Sequence, residues 1–353
     1  MARERPTLDT VAAVAGVSRM TVSNAYNRPD QLSSATRVRV LEVASRLGYS
    51  GPDPTAASLR LRRTGTVGVV LTERLPYAFT DPGLVTILHG ITTELSDAGN
   101  ALLLVPAGGA GSESLVRHAM VDALILCSLA ADDPAVAAAV ERQVPLVTVG
   151  KPRLPRVPAV GVDNATAAAS VARYLLDLGH QRFAVLTTVT GKRRTSSRTL
   201  FHERVDGFRD TLVEAGTAPS DVEVLTAADN SRPSGRKDVI ELLSRTRTRR
   251  PSALFAVTDI LALGVLDAAT DAGLTVPRDL SVAGFDDIDA AAASRPPLTT
   301  VAHDLFGQGR AAARLALRQI AGESVRAPRI VAELMERAST ARAPRSSRPG
   351  GAG

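Results

Sequence analysis

Short apolar segments alternate with amphipathic helical segments along most of this chain of 353 residues, and this alternation limits the folds open to it. The segments TVGVVL, ALLLVP, ALILC and LVTVG have the uninterrupted apolar character of strands that are buried on both faces. The helical segments LVTILHGITTELSDAG and ATAAASVARYLLDLG lie between or after them. Strands that alternate with helices predict a parallel sheet with helices on both of its faces.

A second series of the same kind begins at FAVLT and continues through VEVLT, SALFAVT and LSVAGFDD, with helical segments between the strands. Two such series predict two α/β lobes with a cleft between them. Because ligands of parallel sheets bind beyond the carboxyl ends of the strands, we expect a ligand site in that cleft.

The N-terminal end of the chain differs from the rest in charge. Residues 1–63 hold ten arginines and five acidic residues, and so they carry +5 of the chain's net charge of +6. A small basic module joined to a nearly neutral body indicates an anionic partner for the module alone.

Three short helices are expected in this module. The first begins after Thr7 and ends at Gly16, and the second begins after Ser18. The third runs from near Ser33 to Gly48. Serine and threonine are good N-caps, and glycine tolerates the left-handed conformation that ends a helix. The tight glycine turn between the first two helices predicts a helix-turn-helix.

The second helix, within VSRMTVSNAYN, carries hydroxyl and amide side chains where a core helix would repeat apolar ones. We therefore predict a recognition helix for the major groove, where each base pair presents a distinct set of donors, acceptors and methyl groups. Arg19 can donate to O6 and N7 of guanine, and Met20 can pack on a thymine methyl group. Thr21 or Ser23 can reach a phosphate or a base.

The segment TLDTVAAVAGVSRMTVSNAYN resembles the headpiece of the lac-repressor/purine-repressor (LacI/GalR) family of bacterial transcription regulators. SSATRVRVLEVASRLGY resembles the third helix of that headpiece. The resemblance implies that Arg19, Met20 and Asn24 occupy the base-reading positions. The residues implied to contact the DNA backbone are Thr7, Ser18, Thr21, Ser23, Asn27, Ser33, Thr36 and Tyr49.

The resemblance also implies a hinge at residues 51–64, with a short helix that folds on operator DNA and inserts an apolar side chain into the minor groove. The residues implied at the minor groove are Ala56, Ala57 and Leu59. Two departures from the family pattern bear on this segment. The stretch between Tyr49 and Pro54 is one residue longer than usual, and Ala57 stands where the family commonly has arginine. A plain basic linker is the alternative interpretation.

The segments TDILALGVLDAATDAGLTVPRDLSVAGFDD and PPLTTVAHD resemble the effector domain of the same family, whose fold is similar to that of periplasmic sugar-binding proteins. The resemblance covers roughly residues 6–338. The implied effector-binding residues are Tyr77, Phe79, Asp81, Arg204, Thr258 and Asp286. A surface ion pair for Arg204, a loop cap for Asp286 and core packing for the aromatics are the alternatives. Because Thr258 stands where many relatives have asparagine, ligand specificity does not carry over.

The predicted architecture is an N-terminal all-α helix-turn-helix headpiece (residues 1–50) with a hinge helix (51–64), followed by an α/β, two-lobed, periplasmic-binding-protein-like effector domain (65–338) and a disordered tail (339–353). The predicted function is that of a cytoplasmic, ligand-responsive, sequence-specific transcriptional regulator. A repressor is the favoured type of regulator. As a homodimer it would bind double-stranded operator DNA with a near-palindromic sequence and a small, sugar-like effector. The effector's identity, its direction of action, the target genes and the choice between dimer and tetramer stay open.

Two other classes of protein share the two-lobed body. An enzyme would need a catalytic motif, and the sequence has no G-x-G-x-x-G that opens a helix, no Walker A loop and no G-x-S-x-G elbow. Its five histidines are scattered and it has one cysteine, so we expect no metal and no cofactor. A solute-binding protein of a transporter would need a signal peptide, and MARERPTLDTVAAVAG does not have that pattern. We expect no membrane-spanning segment, and the lone cysteine fits a reducing cytoplasm.

Overall fold

The computed structural model describes residues 6–51, 63–72, 75–107, 111–188 and 199–344. The chain divides into two compact units, Met1–Thr64 and Gly65–Gly353, and each is described by itself. The predicted minor-groove residues Ala56, Ala57 and Leu59 lie outside the described residues.

The first unit is a three-helix headpiece. Its helices are α1 (Leu8–Ala15), α2 (Arg19–Asn27) and α3 (Ser34–Leu47), with a 3-10 turn at Pro29–Gln31. The side chains of Thr7, Ser18 and Ser33 each accept a hydrogen bond from the backbone N–H three residues later, as expected of N-caps. Gly16 and Gly48 end α1 and α3 with φ of 64° and 73°, which confirms the predicted glycine stops.

A small apolar core holds the headpiece together. Val11 of α1, Val22 of α2 and Val40 of α3 have no exposed surface, and they pack in one cluster. Each helix thus gives one face to the core and leaves the opposite face to solvent, which is an amphipathic arrangement.

The second unit begins with a lobe built on a five-stranded parallel sheet. The strands follow the order β2-β1-β3-β4-β5 across the sheet, and helices cover both faces. The elements of this first lobe are β1 (Thr66–Leu71), α4 (Pro82–Asp97), β2 (Ala101–Pro106), α5 (Ser112–His118), β3 (Ala123–Cys127), α6 (Pro134–Glu141), β4 (Leu146–Val149) and β5 (Ala159–Val160), with a 3-10 segment at Leu75–Phe79.

The second lobe has a four-stranded parallel sheet in the order β7-β6-β8-β9. Its elements are α7 (Asn164–Asp177), β6 (Phe183–Thr188), α8 (Leu200–Glu214), β7 (Val222–Ala227), α9 (Arg232–Lys237), α10 (Ile240–Ser244), β8 (Ala253–Ala256), α11 (Asp259–Asp271), β9 (Ser281–Ala283) and α12 (Asp289–Ala293), with a 3-10 turn at Pro219–Asp221. The segment GRKDVIELLSR is divided between α9 and α10. Thus both predicted parallel sheets are present.

The last helix returns to the first lobe. After β10 (Thr300–His303) the chain forms α13 (Leu305–Ile320), which packs against α4, and it then pairs β11 (Ala332–Met335) antiparallel with β10. Gly90 of α4 and Gly309 of α13 allow close approach, because a Cβ at either would overlap a backbone carbonyl oxygen of the facing helix. No helix in the described ranges is both long and apolar enough to cross a membrane.

The disordered tail was predicted to begin at residue 339, and this boundary is too early in the chain. Ser339 is fully buried, donates to the carbonyl oxygen of Val282 and accepts from the N–H of Thr299. Farther along, the N–H of Ala343 donates to the carbonyl oxygen of Leu178. Residues 339–344 are therefore part of the second lobe, because their hydrogen bonds complete its edge, which composition alone could not indicate.

A buried carboxylate joins three elements of the second lobe. Asp259, the first residue of α11, has no exposed surface and accepts from the Thr300 hydroxyl (2.5 Å) and from the N–H of Ile288 (3.0 Å). Burial, and to a smaller extent the negative charge of Asp286, raises the pKa of Asp259 to about 7. This acid therefore ties the start of α11 to β10 and to the segment after β9.

We expect Asp259→Asn to flatten the dependence of stability on pH between about pH 4 and pH 7. An unfolded aspartate has a pKa of about 3.9, whereas the folded Asp259 has a pKa of about 7. In that window the folded state keeps a proton that the unfolded state has released, so the wild-type free energy of unfolding falls as pH rises. Urea unfolding across the window measures both proteins. Asp177→Asn, on the exposed side of α7, should keep the wild-type slope, and equal slopes for Asp259→Asn and wild type would contradict the assignment.

Candidate functional site

The start of α2 presents two of the three predicted base-reading side chains to solvent. The side chains of Arg19 and Met20 are 67% and 66% exposed. Arg19 Nη1 lies 3.5 Å from Asp9 Oδ2, and the Asn24 amide donates to Gln31 Oε1 over 3.3 Å. The headpiece therefore offers a cation, a thioether and an amide along one polar helix, the mixture of groups that can read base edges.

The predicted backbone-contacting hydroxyls are grouped at the helix N-termini. Ser18 and Thr21 share a hydrogen bond of 2.9 Å at the start of α2. Ser33 and Thr36 share one of 2.8 Å at the start of α3, and Thr7 caps α1. Because helix N-termini attract anions through their free N–H groups and dipoles, these hydroxyls lie where phosphates can bind.

Of the remaining predicted backbone contacts Asn27 is exposed, whereas Ser23 and Tyr49 are less accessible. Ser23 is only 8% exposed and accepts a hydrogen bond from the Asn27 amide. Tyr49 packs edge-on against Tyr26, with 5.9 Å between ring centroids. Burial raises the pKa of both phenols, so each keeps its proton and can donate it. The fold thus uses Ser23 for packing more than the sequence suggested.

In the second unit, Arg204 of α8 is the buried cation of the cleft. Its Nη1 donates to Asp286 Oδ1 (3.0 Å) and to the carbonyl oxygen of Val257 (2.6 Å), and its Nε donates to Asn164 Oδ1 (3.0 Å). Its Cζ lies 3.6 Å from the centroid of the Phe285 ring. Burial lowers the pKa of Arg204, whereas the negative charge of Asp286 raises it.

Asp286 has a backbone conformation that is rare for residues other than glycine. It lies just after β9 with φ of 117°, and its N–H donates to the carbonyl oxygen of Val301. Its Oδ1 accepts from Arg204 and from His303 Nε2 (3.2 Å). Strained conformations of this kind concentrate where a side chain must be aimed at a ligand or partner.

Two polar bridges join the lobes on either side of this pair. On one side, Lys151 of the first lobe lies 2.5 Å from Glu203 Oε1 of the second. On the other side, Asn230 of the second lobe donates to Asp81 Oδ2 (3.2 Å) of the first and accepts from the Thr258 hydroxyl (2.6 Å). Asp81 Oδ1 also caps α4. Thus Asp81 and Thr258 are linked by their hydrogen bonds to Asn230.

The predicted aromatic residues belong to the 3-10 segment Leu75–Phe79. Phe79 is 69% exposed and does not pack in the core, which was the alternative interpretation. The side chain of Tyr77 lies outside the described residues. Stacking of these rings on an effector stays a prediction.

The structure therefore brings Arg204 and Asp286 into direct contact and places Thr258 and Asp81 at one side of them. Three further polar residues of this cluster were not singled out by sequence reasoning, namely Asn164, Asn230 and His303. His303 lies within the family segment PPLTTVAHD, and Asn164 directly precedes the helical segment ATAAASVARYLLDLG, and these were the available signals. For Asn230 the sequence offered none.

Comparison with known proteins agrees with this arrangement. Residues 7–51 match the model of bacterial regulatory proteins of the lacI family, and residues 172–340 match that of the periplasmic binding protein-like domain. The HTH-type transcriptional regulator IpsA of Corynebacterium glutamicum is 37% identical over 337 residues, which cover 90% of this chain and 92% of that protein.

Two solved structures extend the comparison to three dimensions. A complex of the transcriptional regulator CelR with cellobiose is 32% identical, has a TM-score of 0.67 and covers 95% of this chain and all of that one. A lac repressor dimer bound to operator and the anti-inducer ONPF is 25% identical, has a TM-score of 0.78 and covers 96% of this chain and all of that one. The protein is a ligand-responsive, DNA-binding transcriptional regulator, and its chain belongs to the lacI family of bacterial regulatory proteins.

Proposed function

We propose that this regulator is a homodimeric repressor whose affinity for a near-palindromic operator is set by a small, neutral, sugar-like effector bound between the lobes. The observation that carries the proposal is the Arg204–Asp286 ion pair in the cleft, whose Nη2 and Oδ2 atoms form no hydrogen bond with any described residue. The protein would act where its DNA is, in the cytoplasm.

The chemistry of the pair favours a polyhydroxy ligand. Within the described part of the chain, Nη2 of Arg204 donates no hydrogen bond and Oδ2 of Asp286 accepts none. One hydroxyl of a sugar could accept from Nη2 while a second donates to Oδ2. Since the two charges of the pair cancel, a neutral ligand adds no unpaired charge to a buried site. The cellobiose held by CelR belongs to this class.

The headpiece supports a twofold operator. One helix-turn-helix reads one half-site, so a dimer with twofold symmetry requires two half-sites related by the same symmetry. Exposed Arg19 and Met20 would read base edges, and the hydroxyls at the helix N-termini would fix the register on phosphates.

We assign the cleft to binding and not to catalysis. Four of its charged groups form two ion pairs, Arg204 with Asp286 and Lys151 with Glu203. The relatives are transcriptional regulators, in agreement with this assignment.

The first experiment is selection of genomic DNA fragments by the purified full-length protein at moderate salt, followed by sequencing. We expect one recurring near-palindrome, and a repressor should lower transcription from a promoter that carries it. Retention of no sequence above background, with and without a panel of mono- and disaccharides, would overturn the proposal.

Arg19→Ala should cost about 1–3 kcal/mol in operator affinity and relax the preference at a single base pair in each half-site. The reason is that a guanidinium that donates two hydrogen bonds to guanine discriminates against the other bases. Binding of operators with every substitution in one half-site measures the loss. Arg39→Ala, which removes the same charge from α3, should weaken all operators alike. A uniform loss for Arg19→Ala as well would refute base reading.

Asp286→Asn should weaken binding of the effector by at least about tenfold while operator affinity without effector stays at the wild-type level. Asparagine keeps the shape and tolerates positive φ, but it loses the charge that Arg204 and a sugar hydroxyl use. Release of operator by sugars of the panel measures the response. Asp287→Asn is the matched control, since Asp287 also has positive φ (52°) but pairs with Arg337. A normal response in Asp286→Asn would remove Asp286 from the site.

A further inference from the structure

His303, the last residue of β10, is a buried side chain with a hydrogen bond at each ring nitrogen. The side chain is 4% exposed, and its ring meets that of Phe285 edge-on at 5.4 Å between centroids. Nδ1 lies 2.7 Å from the amide nitrogen of Gln308, and Nε2 lies 3.2 Å from Asp286 Oδ1. Gln308 is itself 3% exposed. An apolar pair would fill this space without the cost of burying three polar groups.

The hydrogen bonds determine which ring nitrogen carries the proton. Asp286 Oδ1 can only accept, so Nε2 must donate to it. A neutral imidazole then has an unprotonated Nδ1, which accepts from the Gln308 amide. The opposite tautomer would set two acceptors, Nε2 and Oδ1, against each other at 3.2 Å. With the Gln308 amide nitrogen facing the ring, the neutral tautomer with its proton on Nε2 satisfies all three residues.

This arrangement occupies one oxygen of Asp286 and spares the other. Oδ1 accepts hydrogen bonds from both His303 Nε2 and Arg204 Nη1. Oδ2 faces the first lobe, because a Cβ added to Gly83 at the start of α4 would lie 4.0 Å from it. The carboxylate is therefore held with one oxygen in the second lobe and the other turned across the cleft.

We propose that His303, oriented by Gln308, is a positioning residue of the effector site, which fixes Asp286 so that Oδ2 accepts a hydroxyl of the ligand. The inference rests on the proposed function of the Arg204–Asp286 pair, and it adds the residues that orient the Asp286 carboxylate. Gln308 belongs to α13 and thus to the first lobe, whereas Asp286 belongs to the second. The orientation of the carboxylate is consequently set by both lobes.

Two substitutions separate positioning from packing. In His303→Gln the side-chain amide can reach the position of Nε2 and donate to Asp286, whereas in His303→Asn the shorter amide reaches only the position of Nδ1. Cellobiose is the probe, titrated by calorimetry into each full-length variant. We expect His303→Gln to stay within about threefold of wild type, and His303→Asn to lose at least about tenfold in affinity, at equal thermal midpoints. Equal losses in both variants, or losses that follow the thermal midpoints, would overturn the proposal.

Nitrogen-15 spectra of histidine-labelled protein test the same arrangement without a ligand. His303→Gln identifies the ring's signals by their loss. We expect a proton on Nε2 and an unprotonated Nδ1 in the wild type, and a changed pattern in Gln308→Glu, which removes the donor to Nδ1. A wild-type ring with its proton on Nδ1, or with both nitrogens protonated, would overturn the proposal. If the wild type binds no cellobiose, that ligand assignment fails, and these spectra still decide the role of His303.

Discussion

A guanidinium buried where the two lobes meet must have its charge balanced and its donors satisfied, and much of the second unit is arranged to do so. Arg204 reaches Asn164 at the start of α7, the carbonyl oxygen of Val257 after β8, and Asp286 after β9. Because an uncompensated buried charge costs several kcal/mol, roughly 3–5 when a partner is lost, these three segments cannot move independently. The ends of the parallel strands are thereby held together at the proposed effector site.

The parts of the fold that were predictable from sequence are those set by local chemistry. Ser18 caps α2 because its hydroxyl accepts from the N–H of Thr21, and Gly16 ends α1 because it can adopt positive φ. Both effects depend on residues within one turn of each other, so the sequence displays them directly. Continuous apolar runs such as Ala123–Cys127 are equally local, and the observed strand has the bounds that were expected.

What the sequence concealed depends on contacts between distant residues. The return of α13 to the first lobe requires Gly90 and Gly309, more than 200 positions apart, to lie at one helix crossing. The site itself was partly visible: Arg204 and Asp286 follow from the family resemblance, but Asn230 became evident only when the fold placed it between Asp81 and Thr258. Residues 339–344 lack apolar periodicity and still complete the second lobe through backbone hydrogen bonds, which composition does not encode.

The same polar contacts explain how a small ligand could change a larger arrangement. Lys151–Glu203 and Asp81–Asn230 connect the two lobes near Arg204–Asp286. A ligand that binds this pair therefore enters a cleft whose two lobes are already in polar contact. Any sugar hydroxyl that replaces one of these bridging contacts alters the relative stability of lobe orientations by the difference between the two hydrogen bonds. Such differences are of the order of 1 kcal/mol each, and allosteric couplings are typically about 1–3 kcal/mol. A few exchanged hydrogen bonds are therefore sufficient to set a regulator's response.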